Sequence, residues 1–122
     1  MKRLAFEGLV RQALKRIPKE FRDAMENLEI VIEKWPDPLL MHEVLGDRKA
    51  LAYGLFVGTP LPEQHSGDWG GLPAVIYIYQ GPLEQDFPAA EDLAREVEIT
   101  VVHEIAHYIG FGEDILTEYG YD

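Results

Sequence analysis

Val101-Val102-His103-Glu104-Ile105-Ala106-His107-Tyr108-Ile109-Gly110-Phe111-Gly112-Glu113-Asp114 is the stretch around which the rest of the chain is organised. Residues four apart on an α-helix stack on one face, so His103 and His107 can turn an imidazole nitrogen toward a single ion. Glu104 lies about 100° further round the same turn. Its carboxylate is thereby kept out of direct ligation yet within reach of a proton on a water at the metal, the arrangement a zinc hydrolase needs. The preceding residues, Asp92 to Val102, contain neither Gly nor Pro and begin with acids suited to a helix N-terminus, so the motif is expected on a helix. Gly110 ends that helix and allows a left-handed turn. The chain then doubles back, which puts Glu113, or Asp114 beside it, where a third ligand belongs.

Working outward, the motif helix carries apolar residues on more than one side: Val97, Val101 and Ile105 on one, Val102 and Ile109 on another. Such a helix is largely buried. Upstream, Ala74-Val75-Ile76-Tyr77-Ile78-Tyr79 is the clearest strand, ended by Gly81-Pro82, with a connector from Leu83 to Ala90. Ala50 to Val57 reads as another strand, weakened by Gly54, and Leu28 to Lys34 as a third with one wet side. Leu39 to Leu45 reads as a short helix ending at Gly46. Leu4 to Ile17 places Phe6, Leu9, Val10, Ala13, Leu14 and Ile17 at helical spacing, and Pro18 stops it. Between the strands at Ala50 to Val57 and Ala74 to Tyr79 runs a Gly- and Pro-rich loop, Pro60 to Pro73, carrying His65, Asp68 and Trp69. Loops of this length tend to be functional. This one is expected to border the cleft, with His65 and Trp69 contacting substrate.

The order helix, strands, long helix, short helix implies an α+β fold in one domain over residues 1–122. A small mixed sheet is expected on the buried motif helix, with an amphipathic N-terminal helix and a short C-terminal one. At 13.9 kDa the chain can build one core and no separate substrate module. It has no cysteine, so thiolate metal sites and disulfides are ruled out. The net charge of −11 excludes nucleic acid as a partner, because phosphate binding rests on a basic surface. The charge is uneven: six of the eleven basic residues fall in the first nineteen positions, and from Glu84 onward eleven acids face Arg95 alone. Glu7 and Arg11 interrupt any apolar run behind Lys2 and Arg3, so no signal peptide or membrane span is read there, and a cytoplasmic protein without a membrane partner is expected.

The motif, with Gly54 to Leu61 and Ile76 to Leu83, resembles the small bacterial zincin-like metallopeptidases, a minimal-zincin group marked by HExxHxxGxx and an acid. The resemblance spans roughly residues 28 to 120. It implies a minimal zincin fold, one Zn2+ per chain held by His103, His107 and an acid after Gly110, and Glu104 as catalytic base. Metzincins differ in having a third His and a Met-containing turn, whereas Met1, Met25 and Met41 all precede the motif here. The reaction expected is zinc-dependent hydrolysis of a peptide bond in a peptide or protein substrate. Zincins present an edge strand beside the zinc to which an extended chain can add. That edge is expected at Ile76 to Tyr79, with Ile78 in its middle, or at the strand before it. Tyr108, Tyr119, Tyr121 and His65 are candidate oxyanion donors. The alternative is a zinc-binding interaction domain without hydrolytic activity, and Glu104 discriminates, because a site that only binds has no use for a base.

Overall fold

In a computed structural model, residues 1–25, 27–59 and 74–121 are described, without the side chain of Glu113. The elements run α1 (Arg3–Arg16), α2 (Lys19–Asp23), β1 (Leu28–Glu33), α3 (Pro38–Leu45), β2 (Gly54–Val57), β3 (Ala74–Tyr79), α4 (Gln80–Asp86), α5 (Ala90–Ile109) and α6 (Glu113–Glu118). The fold is α+β. The three strands form one mixed sheet in the order β1-β3-β2, with β1 parallel and β2 antiparallel to β3.

One face of the sheet builds the main core. Ile76 and Ile78 of β3 meet Val97, Val101 and Ile105 of α5, and α1 adds Phe6, Val10 and Ala13 to the same cluster. Burying each large side chain of this kind is worth about 1.5–3 kcal/mol. The charged contact between these helices, Arg16 Nη1 to Glu98 Oε1 at 3.9 Å, is exposed on the Arg16 side and falls in a class worth about 0–1 kcal/mol. Apolar burial, not charge, therefore seats α1 on α5. The opposite face is smaller: Leu55 and Tyr79 pack on Met41 of α3. The Asp37 side chain caps α3 by accepting from the Leu39 N–H at 3.1 Å.

Three sequence expectations are corrected. First, Ile76 to Tyr79 is not an edge. Ile78 is paired with Ile32 on one side and Gly54 on the other, and its side chain is fully buried. The near-continuous apolar run belongs to a central strand covered on both faces. Among the described residues, the edge beside α5 is β2, the preceding strand. Second, the expected connector from Leu83 begins as a helix: α4 follows β3 without a loop. Pro82 sits in its first turn, where the missing N–H costs nothing. Gln80 anchors the start, donating to the Met1 carbonyl and to Glu84 Oε1, both at 2.8 Å, and the Gly81 N–H reaches the Lys34 carbonyl at 2.7 Å. Third, Pro18 stops α1 but opens another helix, α2, whose Phe21 is fully buried. The loop from Pro60 to Pro73, with His65 and Trp69, lies outside the described residues.

Candidate active site

The motif occupies the last two turns of α5, as its spacing requires. Gly110 follows at φ 91°, a left-handed conformation that glycine adopts without strain. The Phe111 N–H returns to the Ala106 carbonyl at 2.9 Å, closing the helix end with a Schellman bond. The turn directs the chain into α6, whose first residue is Glu113; Asp114 follows, exposed. Phe111 and Tyr119 then set their rings edge-on against Phe21, with centroids 5.7 and 5.4 Å away. The helix missed in the sequence, α2, is thus the anchor that brings the C-terminal segment back over α5.

That return has a consequence at His103. A second left-handed glycine, Gly120, closes α6, and the Tyr121 carbonyl comes to rest on His103 Nε2. A carbonyl oxygen only accepts, so Nε2 carries the hydrogen and, in the neutral ring, the lone pair lies on Nδ1. This is the kind of contact by which a backbone carbonyl fixes the tautomer of a ligating imidazole. The Tyr121 phenol is held above its usual range by burial and by the nearby Glu98 carboxylate, so it stays protonated. Tyr108, by contrast, is buried against Phe56 at 5.7 Å between ring centroids.

Glu104 is placed more tightly. Its side chain is 12% exposed, and Oε1 lies 3.3 Å from His107 Nδ1, whereas the His107 side chain is 55% exposed. On its other flank is the edge strand. A Cβ built on Gly54 would stand 2.7 Å from Thr100 Cγ2 and 3.1 Å from Glu104 Cγ, so only a residue without a side chain lets β2 lie this close to α5. The strand and the helix then run side by side, with Gly54 at Thr100 and Glu104 and Phe56 at Tyr108. The carboxylate sits in the seam between the helix and the edge of the sheet. Sequence reading took Gly54 only as a weakness in a strand; close approach of another element was the alternative meaning of a strand glycine.

Gly54→Ala tests this seam. The new methyl meets buried Thr100 and the Tyr77 carbonyl, the latter at 3.1 Å, and neither can swing aside. The expected cost is about 1–3 kcal/mol of stability, the usual penalty for overpacking, seen as a lower melting temperature. Unchanged stability would mean that β2 does not depend on this approach.

The donor chemistry suits zinc: two imidazoles one turn apart, and an acid at the start of α6. Among the described residues no group of three His, Cys, Asp or Glu side chains converges, and the Glu113 side chain is not among them. Two of the three expected donors, His103 and His107, stand at one helix end.

The family model for zincin-like metallopeptidases matches residues 25–121. The chain belongs to that family. Its fold is similar to the solved structure of a conserved hypothetical protein from T. thermophilus, with a TM-score of 0.56 and 21% identity over 99% of this chain and 100% of that one. The comparison with curated proteins found no match. Among the described residues of this zincin-like chain, no helix is long and apolar enough to cross a membrane.

Proposed function

We propose that this zincin-like protein is a cytoplasmic zinc-dependent peptidase in which Glu104 is the general base. The observation that carries the reading is the position of Glu104 in the seam, against His107 Nδ1 on one side and the Gly54 backbone of the edge strand on the other. His103, His107 and Glu113, with Asp114 as the other candidate, would hold a zinc ion, which would supply a Lewis acid to polarise a carbonyl and acidify water. The chain's own residues do the rest. The outer edge of β2 offers backbone N–H and C=O groups to an extended peptide, which lays its scissile bond across the end of α5. Glu104 takes the proton from the attacking water and delivers it to the departing amine. His107 holds the carboxylate in place for both transfers. A mixture of unstructured peptides, incubated with zinc-loaded protein and with protein stripped by chelator, tests the reading: products detected by mass spectrometry only with zinc are expected, and none in either sample would oppose it.

The second reading, a zinc-binding interaction domain that cleaves nothing, is favoured by one contact. The Tyr121 carbonyl on His103 Nε2 lays the C-terminal segment over the motif, where a catalytic site needs room for substrate. One zinc per chain with no cleavage of any peptide is the result that reading expects.

A further inference from the structure

A cleft of about 300 Å³ opens beside the start of the edge strand, lined by Leu51, Ala52, Tyr53, Pro82, Gln85 and Asp86. We propose that this cleft is a subsite for a cationic side chain, lysine or arginine, of a peptide lying along β2, an inference that rests on the peptidase reading above.

Its walls suit such a side chain. Leu51, Ala52 and Pro82 give apolar surface for a methylene stem, and the Asp86 carboxylate supplies the charge at its end. The Tyr53 hydroxyl donates to Asp86 Oδ2, and the Tyr53 ring is braced edge-on by Phe87 with centroids 5.6 Å apart. The bond to Asp86, with burial and the charges of Asp86 and Glu96, pushes the Tyr53 phenol up to about 12, so it remains a donor and keeps the carboxylate in place. The carboxylate this hydroxyl meets is that of Asp86, at the end of α4.

The charge is also unspent. Glu84, two residues before Asp86, is neutralised by the Met1 ammonium at 3.3 Å and Lys34 at 3.4 Å. No such cation stands within ion-pair distance of Asp86 or Glu96 among the described residues. A Lys or Arg entering the cleft would be the missing partner.

Position ties the cleft to the base. Tyr53 precedes Gly54, which touches Glu104, so one extended chain along the edge passes both. Cleavage is expected close to the basic residue.

The test compares peptides that contain one arginine with twins in which citrulline, isosteric and uncharged, replaces it. Binding to the Glu104→Gln chain is measured by calorimetry at low salt. The arginine peptides are expected to bind about tenfold tighter, the effect of one partly desolvated charge pair, and the advantage should shrink as salt is raised. Asp86→Asn should reduce the advantage while leaving the affinity for citrulline peptides unchanged. Equal affinity for both twins, or a preference that survives Asp86→Asn, would overturn the proposal. Preference without cleavage by the parent chain would sink the peptidase reading and leave the cleft; cleavage without preference would do the reverse.

Discussion

Glu104→Gln should lower peptide turnover by about 10²–10⁴-fold, the range a positioned general base contributes, and leave fold and zinc content at parental values. The Glu104 side chain is 12% exposed and lies against the edge strand through its Cγ methylene, so the isosteric amide occupies the same space in the seam. It can still meet His107 Nδ1. What it cannot do is accept a proton from water and return it to the amine. The side chain sits round the helix from the ligand face, so the substitution should not move metal affinity. Circular dichroism, zinc content and turnover on the same sample check all three points. Equal turnover in variant and parent would remove Glu104 from the mechanism.

The second large effect is expected on metal. His103→Ala and His107→Ala each remove one of the three proposed donors, and a structural or catalytic zinc site does not survive on two. Zinc is expected to fall from one per chain to near none in equilibrium dialysis at micromolar free ion. The two variants should differ in stability. His107 is mostly exposed and its loss should leave the melting temperature of the metal-free chain nearly unchanged. His103 is half-buried and holds the Tyr121 carbonyl, so its loss should also loosen the C-terminal segment. One zinc per chain in both variants would place the site elsewhere.

How much of this could be read from sequence follows from where each signal is stored. The motif helix and α1 were legible because an apolar stripe at helical period states its own geometry. The strand at Ala74 to Tyr79 was legible as a strand but not as the centre of the sheet. Apolar residues at successive positions were the available clue, and they mark a strand covered on two faces. α4 has no stripe, and Gly81-Pro82 looks like a breaker until Lys34 and Met1 are brought beside it by the fold. Gly54 was seen but not understood, because its meaning lies in Thr100 and Glu104, nearly fifty residues away. The Tyr121 carbonyl left no signal at all, since every residue has one. Local periodicity therefore announces elements, whereas the seam that positions the base is made of contacts between them.

The account stands most directly on whether hydrolysis follows zinc at this site. Metal-free protein should be titrated with zinc while bound ion and cleavage of a responsive peptide are measured together. The account predicts a rate that climbs linearly with bound zinc and levels off at one ion per chain. Full occupancy at one zinc per chain with no cleavage of any peptide, or cleavage that proceeds equally without zinc, would contradict it.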